Sequence, residues 1–307
     1  MRVLLVCVAL GLLVVSACGG PPSSTGEGSV GSSGQGSPGL PALPPSPRAA
    51  KVSKVLVVVE ENHSLDEMRS QMPYLYRLAQ RFGYATDYHA VTHPSLPNYI
   101  AIAAGTTYGI TDDDPPSAHP LAGASVFGQA IAQGRTAGVY ADAMPAPCFT
   151  DAAGSYAVKH NPWAYFVSER TECRKHDVPL RALGPAVRAG RLPDVGMVVP
   201  DVCHDAHDCS LSTADTWLAG LMTRVFAGPD WRSGHLAVVV TADEDDYSQD
   251  NRVLTVVIHP SQRHHVVATR LDHYSLTRLL EDVAHAPYLA NARSAPSLSR
   301  AFGLPVG

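Results

Sequence analysis

The sequence predicts an α/β protein, a three-layer α/β/α sandwich built on a mostly parallel central sheet. Short β-branched runs recur along the chain, helical patterns separate them, and two of the runs end in clusters of acids. A run that is apolar throughout reads as a strand buried on both faces, which is the habit of parallel sheets covered by helices. Strands alternating with helices place those helices on the faces of such a sheet.

The elements follow in order. Met1-Arg2 and the apolar run from Val3 to Val15 are too short to span a bilayer comfortably and read as an export signal. The run ends in Val15-Ser16-Ala17-Cys18, which resembles a bacterial lipobox, so residues 1–18 are expected to be a signal peptide with Cys18 as the lipidated terminus. A plain signal peptide is the alternative. Residues 19–50 are almost wholly Gly, Ser, Pro and Ala and cannot bury enough apolar surface to order themselves, so they read as a tether. One catalytic domain is expected over 51–307. Its strands are read at 52–59, 137–140, 195–199, 236–241 and 252–259. Helices are read at 65–81, 126–133, 213–226 and 275–282, with another beginning near 99–104.

Composition limits the function classes. With 45% hydrophobic and 17% charged residues, and a mean hydropathy of −0.01, the chain is neither disordered nor membrane-embedded throughout. A net charge of −5 gives no basic surface for nucleic acid. Cys148, Cys173, Cys203 and Cys209 remain once the leader and lipid cysteines are set aside. An even number in an exported chain points to disulfides, and pairing Cys148 with Cys173 and Cys203 with Cys209 closes the shortest loops. A zinc site from the four thiolates is the rival, but the spacing lacks paired C-x-x-C knuckles.

In parallel sheets ligands gather beyond the carboxyl ends of the strands. Two strands end in Glu60-Glu61-Asn62-His63 and Asp243-Glu244-Asp245-Asp246. Both clusters are therefore expected at one sheet edge, where close carboxylates are costly unless a cation neutralises them. Glu61, Asn62, Asp243 and Glu244 offer hard oxygen ligands for one divalent cation. Each cluster read alone is equally a solvated acidic loop. Ser95, in Thr92-His93-Pro94-Ser95-Leu96-Pro97-Asn98-Tyr99, stands at the start of a helix with Pro97 in its first turn. Exposed N–H groups there favour a phosphate, although a helix N-cap is the commoner task of such a serine. The Asp201-Val202-Cys203-His204-Asp205-Ala206-His207-Asp208-Cys209 stretch packs acids and imidazoles into one loop, suited to a second metal or to phosphate and leaving-group contacts. A polar surface loop is the bland alternative, and His160 and His273 are lone histidines.

These segments carry a family resemblance. Glu61-Asn62-His63-Ser64-Leu65-Asp66 resembles the E-N-x-S-F-D opening of the phosphoesterase family of bacterial acid phosphatases and phospholipases C. His93-Pro94-Ser95-Leu96-Pro97-Asn98-Tyr99 resembles its H-P-S-x-P-N-Y, and Thr241-Ala242-Asp243-Glu244-Asp245-Asp246 its T-x-D-E-x-x. The Cys203–Cys209 loop and His273-Tyr274-Ser275 have counterparts there too. The family is related to the alkaline phosphatase-like superfamily, which implies that fold. The resemblance implies Glu61, Asn62, Asp243 and Glu244 as metal ligands, with Ser95 bridging metal and phosphorus. It implies catalytic parts for His160, Asp201 and His207, and substrate contacts for Asn98, His204, Asp205 and His273. Leu65 stands where the family has Phe. Glu244 stands where some superfamily members have His, which favours a cation harder than zinc.

The expected function is metal-dependent phosphoric ester hydrolysis, with Ser95 forming a phosphoserine. The compact domain favours a phosphomonoesterase of the acid phosphatase type. A phospholipase C or other phosphodiesterase is the alternative, and an inactive metal- or phosphate-binding surface lipoprotein is the rival from another class. The expected partners are a phosphate ester and a membrane reached through the lipid. The protein is expected to be an exported monomer, lipid-anchored or secreted, with no nucleic-acid partner.

Overall fold

The computed structural model describes residues 45–307, so the leader, Cys18 and most of the tether lie outside the described residues. The strands are β1 (Lys54–Glu60), β2 (Gly83–Ala85), β3 (Tyr88–His89), β4 (Ala137–Ala141), β5 (Asp177–Pro179), β6 (Val195–Val199), β7 (Leu236–Ala242), β8 (Thr255–Ile258), β9 (His265–Val267) and β10 (Leu271–Asp272). The helices are α1 (Leu65–Gln71), α2 (Pro73–Arg81), α3 (Ser95–Ala104), α4 (Val126–Ala132), α5 (Arg170–His176), α6 (Leu183–Arg188), α7 (Leu211–Ala227), α8 (Pro229–Arg232), α9 (His273–Ala284) and α10 (Leu298–Ala301).

The main sheet has the order β5-β4-β6-β1-β7-β8-β2-β9. From β5 to β7 every pairing is parallel. β1 and β7 are buried almost throughout, as their continuous apolar sequences require. Helices α3, α4 and α9 pack together on one face, and α1, α2, α6, α7 and α8 on the other, which gives the expected three layers. A short parallel pair, β10 with β3, stands apart.

Three elements differ from expectation. The helix read at 65–81 is two, broken at Met72, because Pro73 has no N–H to continue the first helix and instead starts the second. The strand read at 252–259 is only Thr255–Ile258, and it runs antiparallel to β7. No helix lies between them, so the chain returns directly and cannot make the crossover that a parallel pair needs. The helix read at 275–282 begins two residues earlier. Asp272 caps it by accepting from Ser275 N at 2.8 Å, which brings His273 into its first turn.

The register fixes the site. Glu60 pairs with Ala242 across β1 and β7, Val58 with Val198 across β1 and β6, and Ala141 with Val199 across β4 and β6. The residues that follow these strand ends, Glu61, Asp243, Asp201 and Asp142, therefore emerge along one edge of the sheet.

Candidate active site

Ser95 is the first residue of α3, and Pro94 before it supplies no side-chain cap. The helix is buried along its whole length. Thr277 of α9 fastens it by donating to Ala101 O at 2.8 Å. Its far end stops at Gly105, whose φ of +66° and 2.8 Å clearance from Leu289 O to a would-be Cβ leave room for no side chain. α3 is thus a rigid post that holds Ser95 at the sheet edge.

The Ser95 hydroxyl donates to Glu61 Oε2 at 3.0 Å. Asp243 stands beside both and accepts from the backbone N–H of Asn62 at 3.1 Å and of Glu244 at 2.7 Å. Asn62 adopts φ +57°, a conformation asparagine tolerates better than most residues, and this folds the chain around the Asp243 carboxylate. Burial is the main cause that raises all these acids. It lifts Asp243 to about 7. Burial and then the Asp243 charge lift Glu244 to about 9 and hold Glu61 well above the usual carboxylate range.

His160 lies fully buried between two acids, with Nε2 3.1 Å from Glu61 Oε1 and Nδ1 3.0 Å from Asp205 Oδ2. Its ring stacks on Tyr99 at 5.1 Å. Burial, then Lys159 and His207, drive its pKa well below that of an ordinary histidine. Both contacts have ion-pair length without hydrogen-bond alignment. Glu61 Oε1, Asp243 Oδ2, Asp205 Oδ2 and both His160 nitrogens are therefore buried with no hydrogen bond. Native interiors seldom leave such atoms unsatisfied. Convergent carboxylate oxygens without partners are the donor set a hard divalent cation takes. Among the described residues, Glu61, His160 and His207 also offer ligand atoms within 4.8 Å of one another.

The structure divides the other sequence-derived candidates. Asp205 faces His160, and burial raises it to about 7. His207 is exposed, 5.6 Å from the His160 ring and 3.3 Å from Lys159 Nζ. Asp201 and His204 instead form a separate group with Asp142. His204 Nδ1 lies 2.8 Å from Asp142 and its ring stacks on Trp217, while Asp201 accepts from Ser155 Oγ at 2.8 Å. Asn98 is buried, and its amide clamps the chain before Ser95. It accepts from Val91 N and Thr92 N, and it donates to Glu244 Oε2 at 3.0 Å. His273 is buried between the Tyr88 hydroxyl and the Asp243 carbonyl, 2.6 Å from the latter, and burial lowers it to about 4. The disulfides Cys148–Cys173 and Cys203–Cys209 are both present, the second tying down the loop that carries Asp205.

Four residues at the site were not among the sequence candidates. His93 touches Glu244 and Asp245 at 3.2 and 3.3 Å and stacks on Tyr247. Lys159 pairs with Asp113 at 2.9 Å. His93 and Lys159 each adjoin a residue already singled out, but Asp113, in an irregular loop, gives no sequence signal.

The pattern of the Phosphoesterase family matches residues 68–287, a span that holds Ser95 and Asp243. The chain is 32% identical over 256 residues to the phosphatidylinositol-3-phosphatase of Mycobacterium tuberculosis, with 81% of this chain and 82% of that one aligned. It is 26% identical over 222 residues to the phosphate-repressible acid phosphatase of Penicillium chrysogenum, covering 67% of this chain and 53% of that protein, so it spans about half of that longer relative. Among solved structures, a member of the alkaline phosphatase superfamily from Vibrio parahaemolyticus superposes with a TM-score of 0.53 at 9% identity, covering 79% of this chain and 68% of that one. A phosphonate monoester hydrolase from Silicibacter pomeroyi does so at 0.50 and 13% identity, covering 81% and 76%. At such identities the likeness speaks for the fold alone. The family pattern and the Mycobacterium relative together place the chain in the Phosphoesterase family, as a phosphoric ester hydrolase.

Proposed function

We propose that the protein is a phosphomonoesterase that works through a phosphoserine on Ser95. The observation that carries this reading is a buried serine at a helix N-terminus, bonded to Glu61 among carboxylate oxygens that lack partners. Glu61, Asn62, Ser95, Asp243 and Glu244 would hold one divalent cation. Such a cation, when bound, supplies positive charge that lowers the pKa of a serine hydroxyl and offsets charge on phosphoryl oxygens. The relatives are named a phosphatidylinositol-3-phosphatase and acid phosphatases, names that denote phosphomonoester hydrolysis.

The side chains divide the work. The Ser95 hydroxyl loses its proton along its bond to Glu61, and its oxygen attacks phosphorus as the ester bond breaks. Leu96 N–H, next to the nucleophile, and the Lys159 ammonium are the donors closest to hand for the phosphoryl oxygens. Burial opposes the Lys159 charge, but Asp113, Glu61 and Asp243 outweigh it and hold its pKa above that of an ordinary lysine. His207, exposed beside Lys159, is positioned to protonate the leaving alcohol. Water then attacks the phosphoserine, which releases phosphate and restores Ser95. His160, buried with its pKa driven well below that of an ordinary histidine, packs between Glu61 and Asp205 and walls off that side of the site. Asn98 and His273 are positioning residues, since their polar atoms are committed to protein partners. The two disulfides fit an oxidising compartment, which supports export of the domain.

The test is turnover of p-nitrophenyl phosphate and bis-p-nitrophenyl phosphate, with and without chelator, by wild type and Ser95→Ala. Chelator-sensitive release mainly from the monoester, absent in Ser95→Ala, is expected. Preference for the bis-ester would replace the reading with a phosphodiesterase, and full activity of Ser95→Ala would remove the mechanism.

A further inference from the structure

Asp113 lies in the irregular segment 105–124, at the centre of Asp112-Asp113-Asp114. Its neighbours serve the loop itself. Asp112 accepts from Asp114 N at 3.0 Å, and the Asp114 carbonyl accepts from the Tyr165 hydroxyl at 3.1 Å. Asp113 turns inward instead. Its Oδ1 accepts from Leu96 N at 2.9 Å and its Oδ2 from Lys159 Nζ at 2.9 Å. Pro94 leaves the first turn of α3 without a side-chain cap, so the Leu96 N–H takes its acceptor from Asp113 in the distant loop.

Electrostatics makes this placement costly. Glu61, Asp205, Asp243 and Glu244 already crowd the site, and after burial and the Asp243 charge, the Asp113 charge helps push Glu244 up. A further carboxylate persists there only because a backbone N–H and an ammonium hold it. Two oxygens of one anion, one on a helix N-terminal N–H and one on a lysine, is also the arrangement that two oxygens of a phosphoryl group would take. The Asp113 and Lys159 side chains are 31% and 21% exposed, so solvent reaches the pair from one side.

We propose that Asp113 is a stand-in for the substrate: in the resting enzyme its carboxylate occupies the Leu96 and Lys159 donors, and an incoming phosphate monoester displaces it. The inference rests on the reading of Ser95 as the nucleophile. Displacement exchanges one anion for another, so Lys159 is never left without a counter-charge. The loop bearing Asp113 swings outward as the phosphoryl group enters. The cost is affinity, because an occupied donor set weakens every phosphoryl ligand by the fraction of molecules in which the donors are open.

The experiment compares inorganic phosphate binding to the full-length protein, by calorimetry and as inhibition of p-nitrophenyl phosphate turnover, in wild type, Asp113→Asn and Asp113→Ser. If Asp113 holds the donors in about nine molecules of ten, freeing both in Asp113→Ser tightens phosphate binding about tenfold, and Asp113→Asn, which still reaches Leu96 N–H, tightens it by less. Asp113→Asn keeps an oxygen for Leu96 N–H, so it guards against a loss of folding, and a matching melting temperature verifies this. Lys159→Met is expected to abolish the gain. Phosphate affinity that is unchanged or weaker in both Asp113 variants overturns the proposal and makes Asp113 a mere support for Lys159. The same comparison in a Ser95→Ala background needs no turnover. Phosphate that binds no tighter to Ser95→Ala/Asp113→Asn than to Ser95→Ala overturns the stand-in, whereas the role of Ser95 is judged by turnover alone.

Discussion

Asn98→Ala separates a clamp from a substrate contact. The Asn98 carboxamide accepts from Val91 N at 3.0 Å and Thr92 N at 3.1 Å. Its amide nitrogen, with two hydrogens, reaches Thr92 O at 2.7 Å, Pro94 O at 3.2 Å and Glu244 Oε2 at 3.0 Å. Alanine removes all of these together. Val91 and Thr92 are only half-buried, so water recovers part of the loss. Charging about 1 kcal/mol for each stranded N–H and about 1 kcal/mol for the bond to Glu244 gives about 3 kcal/mol. For a domain of this size that lowers the melting temperature by roughly 6–12 °C. The same change loosens the approach to Ser95, so kcat should fall more than KM rises. Thermal unfolding and steady-state kinetics on p-nitrophenyl phosphate measure both. An unchanged melting temperature with a raised KM and intact kcat would refute the clamp and return Asn98 to the substrate.

The remaining predictions concern the cation, the pH dependence and the loop. Saturating divalent cation at 100 times its Kd should stabilise the protein by about 2.7 kcal/mol, and Asp243→Asn should lose that gain together with turnover, as thermal shifts with and without chelator would show. Glu281, on the buried face of α9, accepts from Leu289 N at 2.6 Å, and is raised by burial to about 8 from 4.5. Its folded pKa exceeds the unfolded one, so its contribution is full below about 4.5 and is lost as pH rises towards 8. Glu281→Gln keeps the acceptor and should flatten the fall in melting temperature between pH 5 and 8, and an equal fall in both proteins would refute this. Replacing Cys203 and Cys209 by serine opens a loop of six-residue separation and should cost about 2 kcal/mol. It should cut activity further by freeing Asp205, measured as kcat/KM below the unfolding transition.

Much of this was legible in the sequence because it depends on local pattern. The runs at 52–59 and 236–241 are apolar on both faces, which settles central parallel strands, and acids at their ends settle which sheet edge is charged. Pro73 was equally visible, but a helical pattern continues across it, and the break was hidden by that continuity. The 83–85, 177–179 and 265–267 strands are three residues long, below the length at which alternation separates strand from loop. Residue type singled out Glu61, Ser95 and Asp243, which the fold brings together, while direction had to come from the fold. Glu60 and Glu61 read alike as neighbours, yet only Glu61 meets Ser95. Asp201 and Asp205 share one loop, yet one turns to Asp142 and His204 and the other to His160. The Asp113–Lys159 contact spans 46 residues and depends on how an irregular loop folds back, which no local pattern encodes.

The geometry around Ser95 has two opposed halves. On one side, Glu61, Asp205, Asp243 and Glu244 crowd more negative charge than burial permits, and each is raised in consequence. On the other, Leu96 N–H and Lys159 form a donor pair, held by Asp113. The first half is complementary to a cation and the second to an anion, and a serine oxygen sits between them. Each half relieves the other when filled, since a cation attracts the phosphoryl group and the phosphoryl group adds charge for the cation. If the protein binds both as proposed, affinity for one rises with occupancy of the other by the same factor. On the proposed reading, paired charge rather than a pocket outline is the feature that a phosphate ester would meet, and the acids at the two strand ends carry the functional reading.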